Sequence, residues 1–136
     1  MINLTSQELL TLKLDVEPVA KGRPRLARSG HVYTPAATSA YERDVGLLVA
    51  HLSPLEGALA VEVVFVCRRP KATKGAARQL KTTRPDADNL LKSLLDGLNG
   101  RLFHDDAQLV DVRAVKLLAG ADEAPHVEIK VSRVSL

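Results

Sequence analysis

The stretch RPDADNLLKSLLDGLNGRLFHDDAQ, residues 84–108, decides the fold, because it reads as an extended entry, a helix, a glycine stop and the start of a strand. Pro85 disfavours helical backbone at Arg84. Asp88 is placed to accept first-turn amide protons, which predicts a helix from about Asp88 to Leu98, and Asn99-Gly100 supplies its left-handed stop. Leu91, Leu94, Leu95 and Leu98 form the apolar stripe that such a helix buries. The same stretch gathers Asp86, Asp88, Asp96, Asp105 and Asp106, five of the sixteen acidic residues of a chain with net charge +3. Carboxylates at that density repel one another unless something cationic lies between them.

Outward from this helix the pattern is that of strands. Residues 108–118, QLVDVRAVKLL, predict one, and HVEIKVSRV, 126–134, another, with Val127, Ile129 and Val131 facing inward. The short GADEAP turn between them predicts a hairpin. ALAVEVVFVC, 58–67, is apolar on nearly both faces and predicts a central strand covered on two sides. LLTLKLDV, 9–16, alternates as a half-buried strand. A first helix is expected from Thr38 or Ser39, where Ser39 and Glu42 form a capping-box pattern, to Pro54. Its buried face is Tyr41, Val45, Leu48, Val49 and Leu52. The expectation is an α/β (α+β) chain: a single domain over residues 1–136, with a mixed sheet of about four strands packed on two main helices.

Two loops carry most of the positive charge. Residues 18–41 contain Lys21, Arg23, Arg25 and Arg28 and no acid; residues 67–85 contain Arg68, Arg69, Lys71, Lys74, Arg78, Lys81 and Arg84 and no acid. The second loop is expected to include a short helical turn around Ala76 to Leu80. Basic loops beside an acidic cluster suit a polyanion held by Lys and Arg while a metal is held by Asp. No apolar run is long enough to span a bilayer, and MINLTSQELL lacks the features of a signal peptide. The one cysteine, Cys67, fits a reducing cytoplasm and a buried, inert thiol.

In an extended segment Asp86 and Asp88 point the same way, and Lys92 lies one helical turn past Asp88. Asp96 follows a turn later, where it can pair with Lys92. Adjacent residues of an extended chain point oppositely, so at most one of Asp105 and Asp106 joins the site. Oxygen donors without His or Cys favour Mg²⁺ or Mn²⁺ over zinc. Each acid alone has an ordinary use as cap, ion pair or turn. Together with Lys92 and the basic loops they point to metal-assisted phosphodiester hydrolysis. A calcium loop starting at Asp86 fails, since its sixth position is Leu91 and its twelfth is Gly97. Walker, GxGxxG and nucleophile-elbow motifs are absent, so no nucleotide cofactor is expected. His104, beside the acid pair, is expected on a loop surface.

The Asp-x-Asp-Asn start, the Lys four residues after the second Asp, the Leu-Asp-x-Leu helix end and the Asp-Asp-x-Gln before a strand resemble the hallmark of the RusA family of Holliday-junction resolvases. KGRPR and YTPAATSAYE resemble the N-terminal part of phage and prophage members, so the resemblance runs from about Val19 to Lys116. It implies a Mg²⁺-dependent endodeoxyribonuclease that acts as a homodimer in a bacterial or phage-infected cell. The enzyme would resolve four-way DNA junctions by paired symmetric nicks during recombination and repair. It also implies that Asp86, Asp88 and Asp106 are the metal-binding catalytic carboxylates, with Asp105 a neighbouring ligand and Lys92 the essential lysine. Mn²⁺ is the expected substitute ion. Lys21, Arg23, Arg25, Arg28, Arg68, Arg69, Lys71, Lys74 and Arg84 are the expected DNA contacts. Two rival expectations share this scaffold: a nuclease of flaps, forks or other branched intermediates, and a branched-DNA-binding protein without cleavage.

Overall fold

The structure is a computed structural model and describes residues 2–136. The elements in chain order are β1 (Thr5–Leu14), β2 (Arg25–Leu26), β3 (Val32–Tyr33), α1 (Ala36–Leu48), β4 (Leu59–Cys67), β5 (Gln79–Leu80), α2 (Ala87–Leu98), β6 (Leu109–Leu118) and β7 (His126–Ser135). A five-stranded mixed sheet has the order β1-β7-β4-β6-β5, and β2 with β3 makes a small separate hairpin. The α+β class is as expected, with one more sheet strand than predicted. The short β5 replaces the helical turn expected around Ala76 to Leu80: Gln79 and Leu80 pair antiparallel with Leu118 and Leu117.

β4 is the hub. It runs parallel to β6 and antiparallel to β7, while β7 runs antiparallel to β1. The expected β6–β7 hairpin therefore does not form. β4 has a neighbour on each edge, but the expected cover on two sides is not found: Leu59, Val61, Val63 and Phe65 are buried, while Ala60, Glu62 and Val64 on the other face are only half-buried. β4 takes the place between the two strands that sequence nearness would have paired. The parallel β4–β6 pair is possible because the chain between them carries a helix, α2, as a crossover.

Both helices pack on one face of the sheet. Tyr41, Val45 and Val49 of α1 and Leu90, Leu94 and Leu98 of α2 meet Val61, Val63 and Phe65 of β4 and Val127, Ile129 and Val131 of β7 in one buried core. Burying each such side chain stabilises by about 1.5–3 kcal/mol. α1 starts earlier than the Ser39–Glu42 pattern predicts and ends before Pro54, and its cap position, Pro35, makes no side-chain capping bond. Glu42 is engaged elsewhere, by Lys21 at 2.5 Å. Leu48 is 40 % exposed, off the predicted face. The helices cross closely: a Cβ on Gly97 would lie 2.9 Å from Val45 Cβ and 3.0 Å from the Glu42 carbonyl. Gly100, with φ +76°, makes the stop after α2. No helix among the described residues is long and apolar enough to cross a membrane.

Candidate active site

α2 begins at Ala87, with Asp86 at its cap position in extended backbone (φ −70°, ψ 150°). Asp88, the predicted cap, lies instead in the first turn, where the helix dipole favours a carboxylate. The Asp86 side chain makes no capping bond, so its carboxylate remains open to other partners. Asp86, Asp88 and Lys92 are all exposed. Among the described residues Lys92 has no acidic partner within 4.0 Å, and Asp96 pairs instead with Lys21 at 2.9 Å.

The first basic loop is fastened along this helix. The Lys21 backbone N–H donates to the Asn89 carbonyl at 3.0 Å, and the Ser93 hydroxyl donates to the Val19 carbonyl. The Gly22 N–H donates to Thr38 Oγ1 at 3.0 Å. Arg23 therefore lies beside the start of α2, where Arg23, Arg84, Pro85, Asp86 and Asn89 line one open groove of about 520 Å³. The end of the second basic loop is anchored from below: Lys116 Nζ donates to the carbonyls of Thr83 and Pro85, each at 2.8 Å.

Asp105 and Asp106 sit elsewhere. A single 3₁₀ turn, Asp106–Gln108, leads into β6, and Asp105 caps it by accepting from the Ala107 N–H at 3.1 Å. Gln108 holds the turn with both ends of its amide. Its Oε1 accepts from the N–H groups of His104 and Asp105, while its Nε2 donates to the carbonyls of Leu55 and Gly57 at 3.0 Å. His104 pairs with Glu56 at 2.8 Å. The Asp106 N–H donates to Asn99 Oδ1 at 3.1 Å, tying the turn to the C-terminal end of α2. The Ala107 N–H, with the shared bond to Asp106, holds Asp105 below the usual carboxylate range. Asp105 beside it, partial burial and the charge of Asp96 push Asp106 above that range. An acid raised by its acidic neighbours is one that lacks a counter-charge.

The five acids therefore form two groups, one at each end of α2. α2 is twelve residues long, about 18 Å at 1.5 Å per residue, with Asp86 at its start and the Asp105–Asp106 turn tied to its end. β6 gives the same answer, since its first residue follows the Asp106 turn while Lys116, near its far end, holds Pro85. One chain does not bring Asp105 or Asp106 to Asp86 and Asp88.

The basic residues also divide. Lys21 is drawn inward: burial disfavours its ammonium, but hydrogen bonds to Glu42 and Asp96 outweigh that and hold it above its usual range. Arg69 staples its own loop, donating to the carbonyls of Lys74, Gly75, Ala77 and Ala119. Arg68 pairs with Glu17 at 2.8 Å on the surface. Arg23, Arg25, Arg28, Lys71, Lys74 and Arg84 are exposed, with no acidic partner among the described residues within 4.0 Å. Of the nine expected DNA contacts, these six remain available to phosphate.

Sequence reasoning missed one cluster. Among the described residues, Glu123, His126 and Glu128 are the one group of three possible ligand atoms lying within 4.8 Å of one another. The signal was His126 and Glu128 two apart on a strand, on the same side. A cation already occupies the place: Arg78 Nη2 lies 2.6 Å from both Glu123 and Glu128, and His126 Nε2 is 2.7 Å from Glu128. Arg78 holds Glu123 down to about 2, with the Gly120 N–H adding to the effect. A metal ion would have to displace that guanidinium.

Residues 15–132 match the model of the family described as endodeoxyribonuclease RusA. The uncharacterized protein YqaN of Bacillus subtilis (strain 168) is 31% identical over 134 residues, covering 88% of this chain and 92% of its own. The crossover junction endodeoxyribonuclease rusA of Lactococcus phage r1t is 42% identical over 57 residues, 41% of each chain.

Proposed function

The chain belongs to the RusA family of endodeoxyribonucleases, and from that membership we propose that it resolves four-way DNA junctions by paired symmetric phosphodiester hydrolysis. The observation that carries the reading is the groove at the start of α2. There two guanidinium groups, Arg23 and Arg84, stand beside the open carboxylate of Asp86. That is an arrangement for gripping a phosphate next to an acidic catalytic group. The name of the phage relative supports a junction as the substrate.

The donor set fits a hard divalent cation: the acids are exposed, oxygen-only and short of counter-charge at Asp106. Asp86 and Asp88 would hold Mg²⁺, or Mn²⁺ in its place; Asp106, kept at the far end of α2 within one chain, would join them only from the second protomer of the expected homodimer. Asp105 is the weaker candidate, because its carboxylate already caps the turn. The bound ion would polarise the scissile phosphate and lower the pKa of its water. Lys92, one turn past Asp88, stabilises charge developing on the phosphate oxygens. Arg23 and Arg84 fix the flanking backbone, and Arg25, Arg28, Lys71 and Lys74 hold the arms through phosphates without reading sequence.

The test is cleavage of end-labelled four-way junction, flap, fork and duplex by the purified protein, with and without Mg²⁺ or Mn²⁺. Symmetric nicks confined to the junction and dependent on metal are expected. Preferential cutting of flaps or forks would shift the substrate within the fold, and metal-independent cutting would remove the acids from the mechanism.

A further inference from the structure

The segment that leads into α2 is held from beneath by one side chain of β6. Lys116 lies beside Phe65 of β4, so it stands on the sheet face where the helices pack, and it is half-buried there. Its Nζ donates to the carbonyls of Thr83 and Pro85, each at 2.8 Å. Its own carbonyl accepts from the Lys81 N–H at 3.1 Å. Thr83 is held a second time through its hydroxyl, which lies 3.0 Å from Lys81 Nζ. Residues 81–86 form neither helix nor strand. No backbone N–H among the described residues reaches the Thr83 or Pro85 carbonyl. One carbonyl immediately precedes Arg84 and the other immediately precedes Asp86, so a single ammonium sets the chain at both groove residues.

We propose that Lys116 is a positioning residue for the phosphodiester hydrolysis: by clamping the carbonyls before Arg84 and Asp86 it fixes the guanidinium and the carboxylate that share the phosphate groove. The inference rests on the nuclease reading above and identifies what holds that site's entry in place. Two features distinguish this clamp from an ordinary loop brace. The first is its charge. Two carbonyls can be satisfied by a neutral amide, as Gln108 Nε2 does for Leu55 and Gly57. Lys116 instead brings an ammonium into a half-buried place, which costs desolvation. Among the described residues no carboxylate lies within 4.0 Å of it. The charge therefore falls on the two carbonyls, and charge-assisted bonds are roughly twice as strong as neutral ones.

The second feature is where the clamp acts. Arg84 and Asp86 are exposed and belong to no strand, and the Asp86 side chain makes no capping bond. Backbone alone orients them, and Lys116 fixes that backbone at both positions. A misplacement of about 1 Å at groups that meet the reacting phosphate can cost about a hundredfold in rate. Binding tolerates the same shift far better, because phosphate contacts are many and long-range.

The test compares rate with binding. Lys116→Met removes the charge and both bonds, while Lys116→Arg keeps a charged donor. On the four-way junction with Mg²⁺, Lys116→Met should cleave about a hundredfold more slowly in single turnover, and Lys116→Arg should cleave faster than Lys116→Met. In gel shifts with Ca²⁺, Lys116→Met should weaken junction binding only roughly fivefold, and no further once Arg84→Gln is present, since it acts through Arg84. Circular dichroism checks the fold; if Lys116→Met does not fold, Lys116→Gln replaces it with the same slowing expected. Cleavage at the wild-type rate, Lys116→Arg no faster than Lys116→Met, or an equal binding loss with and without Arg84 overturns the proposal and leaves the junction-resolving function standing. A wild type that binds the junction without cutting it fails that function, while the binding cycle still decides whether Lys116 acts through Arg84.

Discussion

Two clusters of charge on this chain look alike in composition and opposite in state. Around Arg78, the acids Glu123 and Glu128 close on a guanidinium at 2.6 Å, the imidazole of His126 lies 2.7 Å from Glu128, and each acid is answered. At the start of α2, Asp86, Asp88 and Lys92 are exposed, and Arg23 and Arg84 share a groove with Asp86 without pairing. The first cluster has the better ligand distances, yet its cation is built in. The second has charges left open, which is what a site needs if its partner is to arrive from solution. Convergence of acids marks stability as readily as function; unanswered charge is the sharper sign.

The largest expected effect should break the comparison at its open end. Asp88→Asn should lower junction cleavage by at least about a hundredfold while gel-shift affinity in Ca²⁺ stays near wild type; undiminished cleavage would place the site elsewhere. At the closed end, Arg78→Ala should leave cleavage unchanged and lower stability by about 1–2 kcal/mol in urea denaturation, a modest figure because the network is partly solvated. Its pH dependence follows from Glu123, whose folded pKa lies at about 2, below its usual 4.5. That contribution is complete above about pH 4.5 and is lost as pH falls toward 2. Wild type should therefore lose stability across this window more steeply than Arg78→Ala. Smallest of all, Arg23→Gln with Arg84→Gln should weaken junction binding and reduce its salt slope by roughly one to two. An unchanged slope would mean that the groove does not meet phosphate.

Much of this was legible locally. The leucine spacing and Gly100 located α2, although Leu90 is fully buried while Leu91 and Leu95 are only partly so. β4 announced itself by being apolar on both faces. What sequence could not supply was partnership at a distance. β6 and β7 are neighbours in the chain, but β4 stands between them; Asp96 lies a turn from Lys92, but Lys21 reaches it across the loop. The acids stood out by their crowding, but spacing gave no measure of the length of α2 as a barrier between Asp88 and Asp106. The Asp-Asp-x-Gln motif also turned out to be partly architectural, with Asp105 capping and Gln108 bracing the turn.

That bracing has a consequence for how the sequence can drift. Gln108 gives both amide protons to carbonyls and takes both backbone protons with its oxygen. Glutamate has the same shape and is a single-base change away, yet a carboxylate set against the carbonyls of Leu55 and Gly57 has only lone pairs to offer. The same-shaped replacement one base away is thus among the worst, and lineages carrying this turn should cross from Gln to Glu seldom, however often the codon allows it.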